Sequence, residues 1–339
     1  MRVETVDPVE PRIAVDIRDA ALRADLRFGL SEVERRLREE LTDVDDRFLT
    51  EGATHLIEAG GKRFRPTLAL LGGQFGGHPH RPEVVTAAVT AELVHVATLY
   101  HDDVMDEATE RHGVPSANAR WGNNIAILFG DLLLARAARL GAELGTEALR
   151  LQVRTIDRLV RGQLRETVGP QPNTDPRAHC LSVMADKSAS LIAMSAQLGA
   201  LAAGADAETC AALARYGERL GIAFQISDDL IDIESGVADM GKLPGTDLRQ
   251  GVVTVPVLHA LAEPAAVRLR DILGAGALTD AGPHAEALEL LRRSPGLAKA
   301  RADVREYAAR ARTQLAGLPP VPAWAALESL CDYVVQRTG

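Results

Sequence analysis

Two acidic motifs of one form lie far apart in the chain: Asp102-Asp103-Val104-Met105-Asp106 and Asp228-Asp229-Leu230-Ile231-Asp232. Each ends a long apolar run of helical character, and each leads into a segment rich in glycine and basic residues. On a helix, residues i and i+4 share a face and i+3 lies beside them. Asp102, Asp103 and Asp106 can therefore converge on one point, and so can Asp228, Asp229 and Asp232. Clustered carboxylates without cysteine select hard divalent cations such as Mg2+, which ordinarily shares its coordination with substrate phosphates. Two facing clusters would hold a diphosphate through bridging metal ions. One such motif alone carries little, because acidic residues are common on solvated helix faces. The pair carries more, since both stand in the same phase relative to an apolar helix and both have cations close downstream.

The elements that must position these carboxylates are helices. A charged helical pattern runs from about Asp19 to Leu41. Gly60-Gly61 breaks the chain before Lys62-Arg63-Phe64-Arg65-Pro66, and a helix follows to about Gln74. Pro82 suits a first helical position, and the apolar run 83–105 delivers the first motif near its C-terminal end. A loop, Arg111-His112-Gly113-Val114-Pro115, follows, with Ser116 as a helix cap. Helical stretches are expected over 117–142, 146–168, 176–203 and 207–234, the last delivering the second motif. A loop rich in Gly and Pro, 235–251, precedes further helices, with breaks at 274–282 and 317–322. No alternating run that would build a sheet occurs. Arg154, Arg158, Arg161 and Arg165 fall at helical spacing and are expected to form a solvated face.

With 339 residues the chain is long enough for a large core, and its Ala, Leu, Val and Ile with few aromatics favour packed helices. Residues 1–18 read as a loosely ordered lead-in and 19–339 as one all-α domain, since no composition shift marks a boundary. A net charge of -9 argues against general nucleic-acid binding. Cys180, Cys210 and Cys331 form no CxxC pair or disulfide framework, which fits a cytoplasmic location. The N-terminus lacks the apolar core of a signal peptide, and no transmembrane helix is expected. Peripheral contact with a membrane stays open if the product is a lipid.

In order, the chain carries GGKRFRP, HVATLYHDDVMDEATERHG, GQLRE, DKSA and FQISDDLIDIESGVADMGKLPGTDL. On these motifs, over residues 50–260, it resembles the trans-isoprenyl diphosphate synthase (polyprenyl synthetase) family. That resemblance implies a single-domain all-α fold of about a dozen helices around a deep apolar cavity, usually as a homodimer. It also implies Mg2+-dependent condensation of isopentenyl diphosphate with an allylic diphosphate. The reaction expels diphosphate from an allylic carbon and leaves a carbocation. It therefore calls for metal ions on the leaving group, exclusion of water and two substrates held in line.

The resemblance also implies roles. Asp102 and Asp106 match direct metal ligands with Asp103 in support, and Asp228 matches a ligand with Asp229 and Asp232 in support. Lys62, Arg65 and His95 match positions that hold isopentenyl diphosphate, with His112 beside them. Arg111, Lys187 and Lys242 match cations on the allylic diphosphate, and Ser188 and Gln225 the polar pair lining that site. Beside this stand blander readings. Lys62 and Arg65 could be surface charges, though the glycines before them let backbone approach a ligand. His95 could be a satisfied core histidine, His101 could be structural, and Lys187 could pair with Asp186 at the surface.

Three positions depart from the family pattern. His112 stands where a second arginine is usual, Val252 where lysine is frequent, and Ser188 where threonine is usual. The first puts a titratable group in place of a fixed charge near the isopentenyl diphosphate. Chain length in the family is limited by bulky residues just before the first aspartates. Here Ala97 and Thr98 fill those places, with Val94 and Leu93 one turn below, so the product is expected to exceed four isoprene units. Other readings are a partner-dependent subunit of a heteromeric synthase, a terpene cyclase and a metal-dependent phosphohydrolase. The cyclase would not need Lys62 and Arg65. The hydrolase leaves the second motif unexplained.

Overall fold

The computed structural model describes residues 17–235, 244–274 and 276–338. The chain is all-α, and among the described residues the only strands form a two-stranded hairpin. It divides into two compact units: the described residues up to Val153 with Met194–Cys210 and Pro319–Ala326, and the remainder.

In the first unit, α1 (Ala20–Leu41) starts on Asp19, whose Oδ1 accepts the Leu22 N–H at 2.8 Å. It buries Leu22, Leu26, Leu30, Val33, Leu37 and Leu41, the stripe of a helix with one face in a core. Next comes α2 (Arg47–Glu58), capped by Asp46. It has no counterpart in the sequence reading, because its buried stripe of Gly52, Ala53, Leu56 and Ile57 is short and half made of small residues. Gly60 and Arg63 adopt positive φ and turn the chain into α3 (Phe64–Gly73). Then α4 (Pro82–Met105) begins with proline in its first turn and packs against α1, α3 and α6 (Asn123–Glu143). By length and hydropathy α4 could cross a membrane, but 67% of its most apolar window is buried inside the protein. It is a core helix, and its apolar character comes from being covered on several sides.

The segment expected as a loop at 111–115 is a hairpin of β1 (Glu110–Arg111) and β2 (Val114–Pro115), with Arg111 opposite Val114. Its two turn residues, His112 and Gly113, have φ of 52° and 79°, the two-residue turn whose twist suits a hairpin. As expected, Ser116 caps α5 (Ala117–Trp121), its Oγ accepting the Ala119 N–H. Gly122, at φ 84°, splits the single helix expected at 117–142 into α5 and α6.

Helix α7 (Thr146–Val168) is followed by α8 (Pro176–Met184), a π turn at Ala185–Ala189, and α9 (Ser190–Ala202). Helix α10 (Ala207–Glu234) ends on the second acidic motif. In the second unit, a short α11 (Thr246–Gln250) lies inside the segment read as loop. Helices α12 (Val255–Leu261), α13 (Val267–Leu273), α14 (Ala281–Arg292), α15 (Pro295–Leu315) and α16 (Pro322–Gln336) complete the chain. The expected breaks near 274–282 and 317–322 are present. A Cβ on Gly296 would lie 2.4 Å from the Ala260 nitrogen, so α12 and α15 pack with backbones in contact.

Candidate active site

In the first unit, three segments contribute. The turn before α3 presents Lys62 in solvent and Arg65 half-buried, with the Arg65 Nε buried and without a hydrogen-bond partner. Helix α4 places His95, Thr98 and Asp102 on its partly accessible face. The hairpin supplies Arg111 and His112.

The three aspartates of the first motif separate. Asp103 is fully buried, and its Oδ1 accepts Arg111 Nε at 2.8 Å. Asp103 Oδ2 is buried with no partner. Burial pushes the Asp103 carboxyl up, and the Arg111 guanidinium opposes that shift. Asp102 is half-buried and Asp106 exposed at the helix end, where the Asp106 N–H donates to the Asp102 carbonyl at 2.8 Å. Asp103 thus holds the hairpin arginine in place and leaves the outward positions to Asp102 and Asp106.

His95 stands among cations. Burial first, and then Arg65, His112, Arg111 and Arg63, hold its imidazole well below the usual value. Burial brings Arg65 down to about 10, still charged at neutral pH, and Glu92 opposes the shift. His101 turns elsewhere: its Nε2 meets the Ile127 carbonyl at 3.2 Å and Asp131 of α6 at 3.4 Å, a packing role between α4 and α6. Of the residues proposed to set product length, Ala97 and Val94 are fully buried, whereas Thr98 is partly accessible. Tyr100 is buried, and its hydroxyl donates to the Gly52 carbonyl of α2, so it does not line an open space.

In the second unit, α10 places Gln225, Asp228, Asp229 and Asp232 along one helix end. Ser188 Oγ donates to Gln225 Oε1 at 3.0 Å, and Gln225 Nε2 donates to Asp229 Oδ1 at 3.1 Å. Asp229 is buried, and its Oδ2 has no partner. Burial, and then Asp247, push its carboxyl well above the ordinary range, with Gln225 opposing. Partial burial, and then Asp232, Glu166 and Asp228, push Asp247 up to about 7. Asp232 accepts the backbone N–H groups of Thr246 and Asp247 at 3.2 and 3.3 Å, and Asp228 accepts Arg337.

The π turn that carries Lys187 and Ser188 is pinned by α7 and α10. A Cβ on Gly162 would come within 2.6 Å of the Lys187 nitrogen, and one on Gly221 within 2.6 Å of the Ala189 Cα. Lys187 pairs with Glu166, while Asp186 takes Arg158 at 2.8 Å and also Arg165. The alternative surface pair between Lys187 and Asp186 is therefore replaced by these contacts. The arginines of α7 are largely solvated, as expected, with Arg154, Arg161 and Arg165 exposed and Arg158 half-buried; from that face Arg158 and Arg165 reach the π turn, and Arg158 also bonds Glu218 at 2.7 Å. Helical spacing located them on one side of α7 but carried no information about what packs there. Lys242 lies outside the described residues.

A divalent cation fits these carboxylates. Asp103 and Asp229 each keep a buried oxygen without a partner, and Asp229 and Asp247 are raised by burial first and then by the neighbouring carboxylates, as expected of acids short of positive charge. Among the described residues, no three His, Cys, Asp or Glu side chains are placed to enclose an ion by themselves. That suits a cation which completes its sphere with phosphate oxygens and water.

A model of the polyprenyl synthetase family matches residues 46–291. The chain is 49% identical to nonaprenyl diphosphate synthase of Mycobacterium tuberculosis, over 96% of this chain and 97% of that protein. The chain belongs to the polyprenyl synthetase family. It is a prenyltransferase of trans-prenyl condensation, and the cyclase and phosphohydrolase readings are not favoured. This polyprenyl synthetase is also 36% identical to heptaprenyl diphosphate synthase component 2 of Geobacillus stearothermophilus, over 93% of this chain and 97% of that one. Its fold superposes with a TM-score of 0.86 on a Corynebacterium glutamicum geranylgeranyl pyrophosphate synthase solved with calcium and isoprenyl diphosphate. The two are 45% identical, over 96% of this chain and 100% of that one.

Arg63 and Glu92 of the first unit and Glu166, Asp247 and Arg337 of the second were not singled out in the sequence. Glu92 had a signal: it is the one acid inside the apolar run from Val84 to Tyr100. A charge retained in a buried helix face needs a partner.

Proposed function

We propose that this polyprenyl synthetase joins isopentenyl diphosphate head to tail to an allylic diphosphate, with Mg2+, and makes an all-trans polyprenyl diphosphate longer than four isoprene units. The observation that carries this reading is the gathering of Arg65, Arg111 and His112 around His95, on the helix that bears Asp102 and Asp106. A cationic cluster beside outward carboxylates suits a diphosphate and its metal ion together.

Lys62, Arg65, His95 and His112 would hold isopentenyl diphosphate; Arg111, Lys187 and Lys242 would hold the allylic diphosphate, with Ser188 and Gln225 beside it. Asp102 and Asp106, supported by Asp103, and Asp228, supported by Asp229 and Asp232, would hold Mg2+. The bound ion supplies neutralisation of the leaving diphosphate. The arginines and lysines orient the two substrates, and the apolar helices keep water from the allylic cation. The departing diphosphate takes the proton that completes the new double bond, so no side-chain base is required.

The three free cysteines support a cytoplasmic location. Exposed Ile127 and Leu128 on α6 support a homodimer, which light scattering would test. A second reading, a subunit that needs a partner, rests on the resemblance to a heptaprenyl synthase component. One assay separates them. The purified chain is given labelled isopentenyl diphosphate, Mg2+ and primers of two, three or four isoprene units, and the dephosphorylated products are sized. Long prenyl alcohols from the chain alone support the synthase; no elongation by folded protein supports the partner-dependent subunit.

A further inference from the structure

Between Lys62 and Arg65 lies Arg63, which is 7% exposed and sits in the left-handed region at φ 44° and ψ 39°. Non-glycine residues rarely accept that conformation, and a glycine would hold it without strain. The side chain accounts for the arginine. Its Nε donates to Glu34 of α1, its Nη1 to Glu92 of α4 at 3.2 Å, and its Nη2 to the Ile57 carbonyl of α2 at 2.8 Å. One guanidinium therefore ties three helices to the turn before α3. Glu92 is 4% exposed and lies one helical turn before His95. Burial pushes the Glu92 carboxyl up, and Arg63 and then Arg65 oppose that shift.

We propose that Glu34, Arg63 and Glu92 form a positioning clamp for the diphosphate cations, in which Arg63, held by the two acids, sets the placement of Lys62 and Arg65 relative to His95. None of the three is assigned to touch substrate. A buried ion pair is a poor source of net stability, because desolvation offsets attraction. What it does provide is geometry: Arg63 fixes the backbone between two cations, and Glu92 joins that turn to the helix that carries His95. Arg65 Nε is buried and unpartnered, so its guanidinium takes its placement from the backbone that Arg63 fixes two residues before it. The inference rests on Lys62, Arg65 and His95 being the isopentenyl diphosphate site.

The test uses Glu92→Gln, which keeps the shape and an acceptor for Arg63, and Arg63→Gly, which relieves the backbone strain but removes the clamp. Isopentenyl diphosphate is titrated calorimetrically in the presence of chelator, so that metal-bound carboxylates contribute nothing. Both variants are expected to bind on the order of ten- to hundredfold more weakly than wild type, the scale of loss from misplacing binding groups. In the full reaction, KM for isopentenyl diphosphate should rise by the same factor while KM for the allylic primer changes little; Tm is expected to fall, because each substitution leaves a buried charge short of its partner. Should Glu92→Gln fail to fold, Arg63→Lys, which keeps the charge with fewer bonds, takes its place. Unchanged affinity in a folded variant overturns the clamp, whatever happens to Tm. Equal losses for both substrates also overturn it, as does absence of wild-type binding in chelator. A wild-type protein that binds isopentenyl diphosphate but makes no condensation product would instead contradict the functional reading and leave the clamp testable.

Discussion

Asp103 and Asp229 occupy the same place in their motifs, and each turns inward to a polar partner, Arg111 or Gln225, while keeping one buried oxygen unpartnered. The motif spacing identified both triplets, but spacing alone says nothing about which side of a helix faces the core, so which aspartate of each triplet turns inward became visible only with the fold. His95 has a consequence for acid stability. Its folded-state pKa is depressed by burial and neighbouring cations. The unfolded chain therefore takes up a proton that the folded one resists, and stability falls as pH drops through the ordinary histidine value of about 6.5. His95→Gln should lose less Tm than wild type between pH 7 and pH 5; an equal loss in both would show that other groups govern acid unfolding. His112 is exposed at the hairpin turn. If its imidazolium assists isopentenyl diphosphate, KM in wild type should climb as the proton is lost, whereas His112→Arg should flatten that limb. Identical pH profiles of KM would exclude the role.

Helices α3 and α9 meet backbone to backbone within the first unit. A Cβ on Gly72 would lie 2.1 Å from the Ala196 carbonyl oxygen, and one on Gly199 only 1.8 Å from that of Ala69. Neither obstacle is a flexible side chain, so Gly199→Ala must push two helices apart. A loss of about 1–3 kcal/mol is expected for such overpacking, read as a lower midpoint in urea; an unchanged midpoint would mean the helices have slack. Long elements such as α1, α4, α7 and α10 were legible because their apolar periodicity extends over many turns. Short ones were not. The stripe of α2 is too brief, the hairpin relies on a left-handed histidine rather than strand alternation, and the π turn looks like ordinary helix in the sequence. The sequence marks the turn before α3 as a glycine break, but its decisive residue is Arg63, held by acids on two other helices. Such long-range partners leave little trace in local pattern.

Product length belongs to the molecule as a whole, since it depends on how far an apolar chain can extend beneath the aspartates. Thr98 shares the accessible side of α4 with His95 and Asp102, whereas Ala97 is packed. Thr98→Phe should therefore shorten the product by several isoprene units while leaving Tm near wild type, as judged by sizing of the dephosphorylated alcohols; an unchanged product would place the limit elsewhere. The two units each bring one carboxylate motif and their own cations. The central claim is that both motifs serve one metal-dependent condensation. The most direct measurement is incorporation of labelled isopentenyl diphosphate with Mg2+ by wild type, Asp102→Ala and Asp228→Ala, each folded by circular dichroism, with and without chelator. Loss of at least two orders of magnitude is expected for either substitution or for chelation, since each removes electrostatic stabilisation of the leaving group. Wild-type rates in either variant, or condensation that persists in chelator, would contradict it.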